Sequence, residues 1–99
     1  MNYLYKIEQI SYIENIDEIW NLIDQIDQEL TPRDLIQIID YFISNLSSDH
    51  RLPGSDYYQL CGIGDWVRTH NDYTPRQMKW VILTIAQYWY ELDQFSIKL

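Results

Sequence analysis

Between Trp80 and Leu92, 10 of 13 residues are apolar, and the exceptions, Thr84, Gln87 and Glu91, fall three and four residues apart. On a helix that spacing draws one narrow polar stripe and leaves the rest of the circumference apolar. A helix on a domain's surface needs an apolar arc of only about 100° or somewhat more. This segment therefore demands cover on nearly every side. Either it is the central helix, wrapped by the others, or another chain covers part of it.

The chain has 99 residues, read as one domain over residues 1–99. At this length only roughly 60–65% of the unfolded surface is buried, so wrapping material is scarce. Ile13, Ile16, Ile19, Trp20, Ile23, Ile26 and Leu30 recur at three- and four-residue steps and predict an amphipathic helix over 13–30, with Asn15 and Glu18 as a capping box. Thr31-Pro32 ends it and starts the next, whose apolar side runs from Leu35 to Leu46. Pro53-Gly54 marks a turn, after which Ser55 caps a third helix to about Thr69. Gly62 and Gly64 each cost about 1 kcal/mol in a helix interior, which predicts a break into two short pieces there. Thr74-Pro75-Arg76 repeats Thr31-Pro32-Arg33 at a distance of 43 residues and starts the fourth helix, running to about Asp93.

Both ends alternate: Tyr3, Tyr5 and Ile7 against Leu4, Lys6 and Glu8, and Phe95, Ile97 and Leu99 against Ser96 and Lys98. They read as short strands, with a short first helix through Gln9 as an equal alternative. The expected fold is all-α: a compact four-helix bundle-like domain with short extended termini, and the repeat suggests two helical hairpins.

Charge divides the chain in two. The net charge is −8, and residues 1–50 hold ten acidic and two basic side chains against five of each in residues 51–99. That balance disfavours non-specific nucleic-acid binding, which needs cations to displace counterions, and docking on an anionic membrane. No stretch reaches the ~20 apolar residues of a membrane span, and no basic segment precedes an apolar run as in a secretory signal. The expected compartment is cytoplasmic. A single cysteine, Cys61, excludes an internal disulfide and a multi-cysteine zinc motif.

Little in the sequence carries reaction chemistry. Gly62-Ile63-Gly64 is a fragment of a phosphate-binding fingerprint and no more. A set of His50, Cys61, His70 and Asp72 matches no tight metal-ligand spacing. Neither enzyme activity, nor a cofactor, nor a metal is expected. Arg68, His70, Arg76 and Lys79 form a basic cluster around a turn that could join a helix-turn-helix. The following Trp80, Val81, Ile82 and Leu83 are not side chains that read base edges.

Two groups of residues remain as candidates for protein interaction. Glu14, Asp17, Glu18, Asp24 and Asp27 lie on the polar side of the first long helix; their plainer role is a solvated face that keeps the chain soluble. Trp80, Tyr88, Trp89 and Tyr90 lie on the fourth helix, and rings of this kind are enriched at binding hot spots. Three other helices can hardly shield them all, which leads to the expectation of a bound partner or a homodimer. From Glu14 to Asp24 is roughly 15 Å, whereas duplex DNA carries about one charge per 1.7 Å. The stripe is too sparse to imitate phosphates but can steer a basic partner. The expected function is a small acidic, non-enzymatic protein-binding module, an inhibitor or adaptor of a nucleic-acid-handling complex of the anti-CRISPR or DNA-mimic type, whose partner presents a basic surface. The alternative is a structural or oligomerising subunit that packs through its aromatic C-terminal helix.

Overall fold

A computed structural model describes residues 2–46 and 54–88. Five helices follow one another: α1 (Asn2–Ser11), α2 (Ile16–Glu29), α3 (Pro32–Leu46), α4 (Gly54–His70) and α5 (Pro75–Gln87). No strand occurs among the described residues. Met78, Val81, Ile82 and Ile85 of α5 are all 1% exposed or less. All four other helices touch α5, α1 most extensively. Trp80, Leu83 and Tyr88 are half-buried and pack on the same core. Over residues 75–88, most of the apolar circumference is thus covered from within the chain, with Trp80, Leu83 and Tyr88 covered in part. The Cα radius of gyration is 12.7 Å, against about 13 Å for a compact chain of 100 residues.

Local signals set the helix starts. The Thr31 hydroxyl accepts from the Asp34 amide at 3.1 Å and the Asp34 carboxylate accepts from the Thr31 amide at 3.2 Å. Thr74 and Gln77 repeat the exchange at 3.1 and 2.9 Å. Asn15 accepts from the amides of Asp17 and Glu18 at 2.9 and 3.3 Å, so α2 begins at Ile16 rather than Ile13. Each such cap is worth typically about 1 kcal/mol, because it satisfies amides that the helix leaves without partners.

Tertiary packing overrides the sequence expectations at three places. The four-helix count becomes five because the N-terminal segment takes the helical alternative, over Asn2–Ser11, and not the extended one. Ile7 and Ile10, one helical step apart, are both buried, and a ribbon without packing support would be only marginally stable. The strand expected at Phe95–Leu99 lies outside the described residues, as does the last stretch of the helix expected to reach Asp93.

The two-hairpin arrangement is replaced by α1 on α5 and α3 on α4 as the main pairings. Helices α2 and α3 share a corner at Leu30–Thr31 yet scarcely pack together. Finally, α4 runs unbroken through Gly62 and Gly64. Buried Gly64 faces α3, where an added Cβ would lie 3.7 Å from Ile39 Cγ2 and 3.4 Å from Arg68 Nη1. Arg68 then ties the pair, its Nη2 donating to both oxygens of Asp40 at 2.7 and 2.6 Å. This bond holds the guanidinium above its ordinary pKa. Contacts of this kind offset the glycine penalty.

Three substitutions test this packing. Gly62 is exposed, with nothing within 4 Å of an added Cβ. Gly62→Ala is expected to stabilise the fold by roughly 0.5–1 kcal/mol in urea unfolding, and Gly64→Ala by less. On α3, the Tyr41 hydroxyl is buried and has no hydrogen-bond partner among the described residues. Burial pushes its phenol above the ordinary 10.0. Below pH 10 this group leaves stability unchanged; as pH rises further the unfolded chain ionises first and stability falls. Tyr41→Phe removes an unsatisfied polar group and is expected to add about 1 kcal/mol at neutral pH. It should also lessen the alkaline loss measured by urea titration above pH 10.

Candidate protein-interaction surface

Helix α2 turns Ile23 and Ile26 fully inward, with Leu30 buried at its end. At about 100° per residue, the opposite arc carries Asp17, Glu18, Asn21, Asp24, Gln25 and Gln28, all of them exposed. Glu14 and Asp27 are exposed as well. The acidic residues singled out in the sequence thus share one helix and its N-terminal approach.

Their local roles differ. Asp17 and Glu18 occupy the first turn, where the helix dipole favours negative charge. Asp27 and Glu29 sit at the other end, where the dipole disfavours it, and that last turn holds no basic residue. Asp27 is relieved by Tyr73, whose hydroxyl donates to its carboxylate at 2.9 Å and lies 3.1 Å from the Leu30 carbonyl oxygen. Tyr73 stands between α4 and α5, so it clasps the C-terminal end of α2. Among the described residues, Glu14, Asp17, Glu18 and Asp24 form no ion pair; the pairs present join Arg68 to Asp40 and Asp65.

The aromatic candidates have a different surrounding. Trp80 is half-buried against the core. The Tyr88 hydroxyl donates to Asp56 of α4 at 2.7 Å, and its ring lies 6.0 Å from that of Phe42. Tyr88 therefore ties the end of α5 to α3 and α4. Trp89 and Tyr90 lie outside the described residues.

Exposed apolar side chains appear elsewhere: Tyr5, Tyr12, Ile16, Trp20 and Tyr58. Sequence periodicity placed Ile16 and Trp20 inside, since both keep the three- and four-residue rhythm. The angle of each position was the available signal. Ile16 and Trp20 fall about 50° and about 90° from the middle of the arc made by Ile23, Ile26 and Leu30.

The basic cluster of the second half is largely engaged within the chain. Arg68 bonds Asp40. The His70 ring stacks on Trp66 at 3.9 Å, its Nδ1 lying 2.9 Å from the Trp66 carbonyl oxygen. Lys79 places its ammonium 5.3 Å from the Trp20 ring centroid, a cation–π contact. Helix α5 buries Met78, Val81, Ile82, Thr84, Ile85 and Ala86, while Arg76 in its first turn is exposed. Cys61 is half-buried, and as a neighbour it holds the Tyr57 phenol above its ordinary pKa. Among the described residues no three of His, Cys, Asp and Glu are grouped to hold a metal ion, and no helix is long and apolar enough to cross a membrane. His50 lies outside them.

No protein-family model matches the chain, and comparison with curated proteins and with solved structures finds no match.

If Tyr73 clasps α2 as described, Tyr73→Phe keeps the ring and loses the hydroxyl bond. The expected loss is about 1 kcal/mol of stability, read as a lower midpoint in urea with an unchanged slope.

Proposed function

We propose that this chain is a small acidic protein-binding module, without catalysis of its own, that engages a partner through complementary charge. In its sharper form the partner is a nucleic-acid-handling complex with a basic surface, and the chain acts as its inhibitor or adaptor, in the manner of an anti-CRISPR protein or DNA mimic. One observation carries this reading. Glu14, Asp17, Glu18 and Asp24 are exposed and have no ion pair among the described residues, whereas Arg68 and Lys79 are engaged intramolecularly.

Surface carboxylates also aid solubility, but packing and capping account for only some of their positions. Asp17 and Glu18 support the start of α2; nothing in the helix calls for Glu14 or Asp24. The magnitude favours steering over phosphate imitation. Asp17 and Asp24 are seven residues apart, about 10 Å along the helix, far sparser than DNA. A one-signed surface of this sort raises association rates by about 10- to 10³-fold.

An oligomerising subunit that packs through α5 is the second reading. It draws less support from residues 75–88, whose apolar side chains face inward.

The test is a triple variant, Glu14→Lys, Asp17→Lys and Asp24→Lys, that spares Asp27 for its bond to Tyr73. Three reversals of two charge units each bring the net charge from −8 to −2. Wild type and variant are immobilised and exposed to host-cell extract at low salt, with circular dichroism as the check on folding. Wild type is expected to retain basic nucleic-acid-binding proteins that the variant releases. The same proteins on both would defeat the charge-based reading. A dimer by light scattering that persists in the variant would favour the oligomerising one.

A further inference from the structure

We infer that the corner where α1 passes into α2 is a docking seat for a basic amphipathic helix of a partner protein. The apolar side of that helix lies on Tyr12, Ile16 and Trp20, and its cations lie beside Glu14, Asp17 and Asp24. This rests on the acidic-module reading and adds where contact forms and what shape the partner presents.

Tyr12 is 73% exposed, Ile16 54% and Trp20 37%. The Tyr12 amide still donates to the Gln9 carbonyl at 3.1 Å, so the residue stands on the last turn of α1. Four residues on comes Ile16, whose Cα can be no more than about 14 Å away along an extended chain. Ile16 and Trp20 are four residues apart, about 6 Å along α2 and about 40° around it. Ile16 and Trp20 thus share one exposed edge of α2, exposed Tyr12 precedes it by four residues, and the rest of the large aliphatic side chains of α2 pack on the core. Contiguous exposed apolar surface marks interaction sites. The 6 Å step also matches the i, i+4 spacing along a partner helix, whose side chains would fit between Ile16 and Trp20.

Charge decides the occupant. Glu14 lies between Tyr12 and Ile16 in sequence, Asp17 follows Ile16, and Asp24 is one helical turn past Trp20. A cation already settles here, since the Lys79 ammonium lies over the Trp20 ring. A second copy docked through a two-fold contact would set each copy's carboxylates against their own kind, which opposes self-association. Nucleic acid and anionic lipid carry the same sign as the rim. A partner segment that is apolar on one side and cationic at its edges meets both requirements.

The probe is a labelled helical peptide of about five turns, with leucine on one face and lysine on the other. A leucine–glutamate twin serves as control. Binding is read by fluorescence anisotropy at low and high salt. The lysine peptide is expected to bind, to weaken as salt rises, and to outbind its twin. Tyr12→Ser with Ile16→Ser should weaken binding at least about tenfold. Tyr58→Ser, which removes an exposed ring on α4, should leave binding unchanged. Should the double variant lose helix by circular dichroism, Tyr12→Gln alone, expected to weaken binding several-fold, carries the comparison.

Loss of binding in the triple lysine variant but not in the serine variant overturns the seat and leaves the acidic-module reading standing. No binding of the lysine peptide, equal binding of the twin, or a dimer abolished by the serine substitutions overturns the seat as well.

Discussion

A helix that is apolar around most of its circumference has to be surrounded, and the fold is the solution to that requirement. Fully burying a side chain such as Val, Ile or Met stabilises by about 1.5–3 kcal/mol, and α5 contributes four of them at 1% exposure or less. Each neighbour offers one face to this axis: Ile7 and Ile10 from α1, Ile23 and Ile26 from α2, Phe42 with Ile38 and Ile39 from α3, and Leu60 and Val67 from α4. A consequence for function follows. The described part of the central helix turns its apolar side chains towards the core, and of the outer helices α2 bears the most acidic side chains.

The parts of the fold legible in the sequence are those in which cause and effect lie within one turn. Thr31 with Asp34, and Thr74 with Gln77, contain both halves of a reciprocal cap, so four residues suffice to see it. The strong periodicity of α2 and α3 is local in the same sense. The fate of Gly64 is not, because the compensation for its missing side chain comes from Ile39, 25 residues earlier. Nor is the state of residues 2–11. Ile7 and Ile10 suit a helix, Tyr5 and Ile7 suit a strand, and the choice is made by α5.

The site divides in the same way. Carboxylates without partners have nowhere to go but outward, so the acidic face of α2 is visible in the sequence. The apolar edge at Ile16 and Trp20 is hidden by a rhythm that registers recurrence and not angular drift. The rings of the C-terminal helix meet a fifth helix as well, since α1 is the principal cover of α5 over the described residues. Residue type alone points to Trp80 and Tyr88 as contacts for another molecule; both are half-buried, one packed on the core and the other bonded to Asp56.

Acidic residues collect at both ends of α2 and thin out between. Glu14, Asp17 and Glu18 stand at its start and Asp24, Asp27 and Glu29 towards its finish, with Ile16 and Trp20 opening the apolar edge of its first half. Like charges three or four residues apart destabilise a helix by about 0.2–0.5 kcal/mol. The dipole offsets this at the N-terminus for Asp17 and Glu18 and adds to it at the C-terminus for Asp27 and Glu29. At physiological salt the screening length is about 8 Å, shorter than the roughly 10 Å from Asp17 to Asp24. Each end therefore acts as its own centre of attraction, not as part of one uniform stripe. On the proposed reading this matters for more than rate. A partner helix with cations at two separated points is drawn to both ends at once, and that fixes its register along the edge that Ile16 and Trp20 form. A single basic point would settle at one end or the other and would leave the register of the partner undefined.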